Sequence, residues 1–262
     1  MNEKNYLAIA LVGDLKYLYK YFNKAYNQIR NEGNYPGEIV VITNYLCPTF
    51  LIKNIKKSNN VFVLRFKKIK FDKRAEESLK NLDTSPNPNR HTTKNFQWHK
   101  IHLFNKKLKR WNYIFYMDIN MNIHFELKHI LKNFPNDLLY ARGDSYPNYD
   151  KSLETQFNKK NNLYKKLDSL YDLSISNYFQ TGVLYYDTSI IQETTEQEII
   201  DLVNRFPISA TNEQGIMNLY FIFENELYKE LPTEVDGFVT YFYWKIKDKK
   251  IIITKATTEK VK

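Results

Sequence analysis

The chain has 262 residues, 43% of them hydrophobic and 16% aromatic, enough to bury a full core and too apolar for a disordered chain. Thirty-nine Lys and Arg against 29 Asp and Glu leave a formal charge of +10, a field that attracts phosphate-bearing small molecules, nucleic acid or anionic lipid without choosing among them. The single cysteine, Cys47, excludes an intramolecular disulfide and a cysteine-built zinc cluster, and no stretch has the apolar length of a membrane span or the apolar core of a leader; a cytoplasmic protein is expected, with peripheral membrane contact left open.

Leu7 to Val12 is an apolar run stopped by Gly13-Asp14, and Leu15, Leu18, Tyr19, Phe22, Ala25, Tyr26 and Ile29 then recur at helical spacing. After the turn residues Asn34 to Gly37, a second strand is expected over 38–43, a short helix over 49–57 and a third strand over 60–66. Strands separated by helix-length segments predict a parallel sheet. Lys67 to Thr93 is polar, and Asp83 to Asn89, with two prolines, reads as a mobile loop. A helical face over 96–108 leads into Tyr113 to Met117, a strand apolar on both faces that ends at Asp118. Beyond it the pattern predicts a helix at 126–133, a strand at 138–141, helical turns at 163–173, a strand at 178–187, and helices at 193–205 and 212–219. In the Lys-rich tail only Ile251 to Ile253 offers a strand.

In open α/β sheets ligands bind beyond the carboxyl ends of strands, so Asp118 and Gly13-Asp14 stand where chemistry is expected. Each feature alone is weak. The order of Val12-Gly13-Asp14, a basic helix, Tyr116-Met117-Asp118-Ile119-Asn120, Phe179-Gln180-Thr181-Gly182 and Asn212-Glu213-Gln214-Gly215 resembles glycosyltransferase family 8, the glycogenin and bacterial galactosyltransferase-like group, over roughly residues 6–232.

That resemblance implies an α/β GT-A fold, with a mixed, mostly parallel central sheet flanked by helices, over residues 1–262 as one domain, with 240–262 as a basic C-terminal appendage. It implies an enzyme that moves a sugar from a nucleoside-diphosphate sugar, a UDP-sugar first, to a hydroxyl on a glycan, protein or lipid-linked acceptor, with retention of configuration. Val12, Gly13 and Asp14 would cradle the nucleoside, with Tyr17 or Tyr19 stacking on the base. Lys100, Asp118, Asn120 and Gly182 would complete the donor site, and Gln180, Glu213 and Gln214 would orient the reacting sugar. The loop over 83–95 is the candidate lid.

Two departures concern the metal. The family's Asp-x-Asp is Asp-x-Asn here, so Asp118 and Asn120 would hold Mn2+ or Mg2+ only weakly, because a hard cation prefers carboxylate oxygen. The family's late metal-binding histidine is also missing, since the histidines are at 91, 99, 102, 124 and 129. Positive side chains in place of the metal are the other expectation. His99 and His102 lie three apart on one helix but lack a third ligand, and so read as core or surface residues. These departures keep a second function in view: a degenerate GT-A domain that binds nucleotide or glycan without turnover. Nucleic-acid binding ranks last, because the basic runs are scattered and no nucleic-acid module is visible.

Overall fold

The computed structural model describes residues 6–82, 96–131, 135–145 and 147–256. The expected lid over 83–95 therefore lies outside the described residues. A seven-stranded sheet carries β1 (Leu7–Val12), β2 (Glu38–Asn44), β3 (Val61–Phe66), β4 (Tyr113–Met117), β6 (Leu139–Gly143), β7 (Phe179–Asp187) and β8 (Tyr228–Glu230), in the order β3-β2-β1-β4-β7-β6-β8. Four of its pairings are parallel, and β7 runs antiparallel to both neighbours. The sheet is thus mixed and mostly parallel, as expected.

Strand alternation divides the core into two layers. Ala8, Ala10, Ile114 and Tyr116 face a cluster built with the 3-10 helix Trp98–Phe104 and the helices Thr195–Arg205 and Glu213–Asn218. Ile9, Leu11, Phe115 and Met117 face the other side, against α1 (Leu15–Arg30) and α2 (Thr49–Lys56). With both faces covered, these strands must be apolar throughout, which is why they read as continuous runs. Helix α1 buries Leu18, Phe22, Ala25 and Ile29 on one stripe and is capped by Asp14, whose carboxylate accepts from Tyr17 N at 2.8 Å.

The expected helix over 96–108 is instead two 3-10 helices, Trp98–Phe104 and Lys106–Arg110. Asn105 divides them: its backbone is extended, and its side chain accepts from Lys107 N at 3.0 Å. All seven residues from Trp98 to Phe104 are buried, so tertiary packing decides the local geometry. The helix expected over 126–133 shows only the 3-10 turn Leu127–His129 among its described residues, and that over 163–173 ends at Asp168. The last expected helix, Glu213–Asn218, continues as a π-helical turn over Leu219–Glu224.

A second sheet was not legible in the sequence. It joins β5 (Asn122–Ile123), β11 (Ile251–Thr254), β10 (Phe238–Phe242) and β9 (Glu234–Val235) in the order β5-β11-β10-β9. Its strands are as short as two residues, and β11 pairs with β5 across more than a hundred residues of chain, Ile253 with Ile123, so no local pattern announces the sheet. Tyr241, Ile252 and Ile253 from this sheet join the same apolar cluster as β1 and α1. The Lys-rich tail is thereby brought back towards the end of β4.

Candidate functional site

Alternation continues past β4. Asp118, two residues after Tyr116, turns to the face of the sheet that holds the Trp98–Phe104 helix. There Lys100 Nζ lies 3.1 Å from Asp118 Oδ1 and 2.9 Å from Glu213 Oε1, with only 11% of its side chain exposed. The same ammonium donates to Thr181 O at 3.2 Å and to Thr181 Oγ1 at 3.3 Å. Thr181 Oγ1 donates to Glu213 Oε1 at 2.8 Å, closing a ring of Lys, Glu and Thr. Tyr116 OH donates to Asp118 Oδ1 at 2.5 Å.

The other oxygen of Asp118 takes a second cation. Lys255, at the end of β11, places Nζ 2.6 Å from Asp118 Oδ2 and in hydrogen-bond contact with Asn120 Oδ1. Burial works against charge on both Lys100 and Asp118, but the ion pairs prevail. Asp118 and Glu213 hold Lys100 above the usual lysine range, and Lys100 and Lys255 hold Asp118 well below the usual carboxylate range. Both groups are charged at neutral pH.

Val12, Gly13, Asp14, Tyr17, Phe96, Gln97, Lys100, Tyr116, Asp118, Asn120 and Lys255 line one pocket, about 530 Å³ of empty space including its open mouth. The pocket brings together six of the expected donor residues, from Val12 to Asn120. Tyr17 borders it, whereas Tyr19 is 77% exposed and does not. Gln180 lines a neighbouring cavity instead, with Asp144, Tyr241, Tyr243 and Trp244.

Gly182 lines neither cavity. Its carbonyl accepts from Asp118 N at 2.9 Å, and the space a Cβ would need is taken by Met121 Cε at 2.8 Å. Glu213 and Gln214 sit behind the pocket wall. Gln214 accepts from Thr181 N at 3.2 Å and donates to Gln156 Oε1 at 2.8 Å. Their helix is fastened to β7 by Asn218, whose amide pairs with both Phe179 N and Phe179 O at 2.7 Å. Asn212, at the start of this helix, makes no capping bond; its side chain donates to Gln97, and its backbone is held at φ 54°. A non-glycine residue at that angle stores strain next to Glu213.

Sequence reasoning missed Lys255 and Gln156, and it gave Tyr116 and Thr181, which lie inside the motifs it singled out, no role of their own. Lys255 is one of many lysines in the tail, and only the pairing of β11 with β5 and β10 distinguishes it. His99 and His102 are structural. His102 Nδ1 meets Glu196 Oε1 at 3.1 Å, and His99 stacks on Phe96 with ring centroids 4.4 Å apart.

Burial, with help from His102, pushes the His99 pKa down from 6.5 to about 4. A depressed folded-state value means that this stabilisation is complete above the unfolded value and is lost as pH falls from 6.5 towards 4, by about 3 kcal/mol. Urea melts across that range should show a steeper loss of stability in the wild type than in a His99→Phe variant. Equal slopes would place the titration in another group.

The donor set does not suit a divalent ion. Among the described residues Asp118 is the only carboxylate at the end of β4, Asn120 supplies a neutral oxygen, and both already face the Lys255 ammonium. Among the described residues no three His, Cys, Asp or Glu side chains converge on a metal-sized space.

No protein-family model matches the chain, and no curated protein matches it in sequence. Among solved structures it is similar to the bifunctional glycosyltransferase WbbM, with a TM-score of 0.56 and 14% identity over 99% of this chain and 47% of that one. It is similar to the galactosyltransferase LgtC, solved with donor and acceptor sugar analogs, with a TM-score of 0.55 and 13% identity over 94% of this chain and 86% of that one. For the mannosyltransferase Ktr4p of S. cerevisiae, solved with GDP, the TM-score is 0.52 and the identity 12%, over 82% of this chain and 66% of that one. The chain spans less than half the length of WbbM. The fold these likenesses define is the GT-A fold of glycosyltransferases. Among the described residues no helix is long and apolar enough to cross a membrane.

Proposed function

We propose that the protein is a glycosyltransferase that moves a sugar from a nucleoside-diphosphate sugar to a hydroxyl acceptor, with UDP-sugars as the first donors to test and retention as the stereochemical outcome. The observation that carries this reading is the pair of ammonium groups, Lys100 and Lys255, held on opposite oxygens of Asp118 at the floor of a strand-end pocket. Cleavage of the bond between sugar and diphosphate leaves extra negative charge on the phosphate, and fixed positive charge in a water-poor pocket stabilises it. Val12, Gly13, Asp14 and Tyr17 give the nucleoside a wall, and Asp118 orients both cations towards the phosphates.

Gln180 lines the second cavity, where the exposed rings of Tyr243 and Trp244 suit the apolar faces of an acceptor sugar. Glu213 and Gln214 act from behind the wall, through Lys100 and Thr181, and so are positioning residues. Glycan, protein and lipid-linked acceptors all fit this chemistry.

A thermal-shift screen of UDP-, GDP- and CMP-sugars tests the reading. A ligand present at a hundred times its dissociation constant stabilises the native state by about 2.7 kcal/mol, so one nucleotide class should raise Tm by several degrees. Turnover of that donor in a hydrolysis assay follows under the enzymatic reading. Binding without hydrolysis or transfer would favour the non-catalytic binding domain, and no shift with any donor would overturn the assignment.

A further inference from the structure

We infer that Lys255 is a built-in cation that takes the place of a divalent ion at the diphosphate, so that the donor binds and reacts without metal; this rests on the donor-site reading above. The geometry of its ammonium is that of a bridging cation, with Asp118 Oδ2 at 2.6 Å and Asn120 Oδ1 also in contact. Those are the two side chains that an Asp-x-Asp motif would offer to a metal.

The charge balance explains why both positions differ from that motif together. Two carboxylates with a divalent ion are neutral, and one carboxylate with one amide and one ammonium are neutral as well. Changing Asp to Asn alone would leave an excess of positive charge around a divalent ion. Replacing the ion with lysine alone would leave an unpaired carboxylate in a half-buried site. Made together, the changes keep the site's formal charge and leave a cation facing the phosphates.

Lys255 is also held in place before any donor arrives. Its backbone N donates to Tyr243 O at 3.1 Å, and its carbonyl accepts from Asn122 Nδ2 at 3.3 Å. Its side chain is 22% exposed, open enough to meet a phosphate from the pocket it lines. Fixing the cation in advance avoids reorganisation as charge develops.

In the transfer step the bond between C1 of the sugar and the phosphate oxygen breaks, and its electron pair stays on that oxygen. The acceptor oxygen forms the new bond to C1, and its proton passes to the departing diphosphate. Lys255 stays protonated throughout, stabilising the diphosphate by charge and hydrogen bonding alone.

Calorimetry with UDP and GDP, and with uridine and guanosine as controls that lack the diphosphate, tests this. In the wild type, the affinity for the preferred diphosphate should be the same in EDTA and in millimolar manganese. Lys255→Met should weaken that diphosphate about 30-fold, leave its nucleoside within about twofold, and not be rescued by manganese, while Lys255→Arg keeps most of the affinity. The double variant Lys255→Met with Asn120→Asp, which restores two carboxylates and removes the ammonium, should bind the diphosphate only with manganese. Diphosphate binding by the wild type that requires manganese, an unchanged Lys255→Met variant, or equal loss of diphosphate and nucleoside would each overturn the inference while leaving the donor site standing. Absence of binding by the wild type to any of the four compounds would overturn the donor site and this inference together.

Discussion

Replacing Lys100 by methionine is expected to destabilise the protein by about 3–5 kcal/mol, lowering Tm by roughly 10 °C, and to abolish transfer. Methionine keeps most of the packing volume of the lysine stem, so the effect isolates the charge. Without that charge, Glu213, 3% exposed, retains only the Thr181 hydroxyl among the described residues, and its second oxygen already has no hydrogen-bond partner among them. An uncompensated buried carboxylate is the expensive product of breaking such a pair. Asp118 suffers less because Lys255 remains on its other oxygen.

The asymmetry makes the prediction testable by a double-mutant cycle. Lys100→Met with Glu213→Gln should recover at least half of the lost stability, because the stranded charge is gone, yet should not recover transfer. Chemical denaturation of the two single variants and the double variant gives the coupling directly. Coupling near zero would mean that the Lys100 and Glu213 pair does not carry the stability of this region.

The second large effect is expected at Asp118. Asp118→Asn preserves shape but removes the one charge shared by the two lysines, so each ammonium loses the partner that aims it. Transfer should fall by about a hundredfold or more, since displacing a positioned group by an ångström is enough for a loss of that size. Stability should fall less than in Lys100→Met, because Lys100 keeps Glu213 and Lys255 remains partly solvated. Steady-state kinetics with the donor identified by the thermal screen, alongside a melt of the same variant, separates the two effects. Full activity in Asp118→Asn would move the reacting centre away from the end of β4.

Much of this site was legible because its first parts lie on elements that announce themselves. β1 and β4 are apolar on both faces and end sharply, so Gly13, Asp14 and Asp118 could be placed at strand ends from the sequence alone. The Lys100 segment was also found, although its helix was not an α-helix: apolar residues identify a buried face whether the turns close over three residues or four. Asn212 shows how a tertiary contact overrides a local preference. An asparagine before a glutamate at a helix start suggests a cap, but contact with Gln97 turns its side chain away.

What the sequence by itself determined was the α/β class, the strand ends that carry Val12 to Asp14 and Asp118, and the unusual Asn120. Hydrophobic periodicity and turn chemistry are local, and these features depend on little else. The tertiary structure alone decided what faces Asp118. Lys255 arrives through a strand that pairs Ile253 with Ile123, a contact that no window of sequence contains. Among the lysines of a strongly basic chain, composition could not single out one. Burial of Ile252 and Ile253 fixes β11 in place, and the position of its last turn puts one ammonium between Asp118 and Asn120.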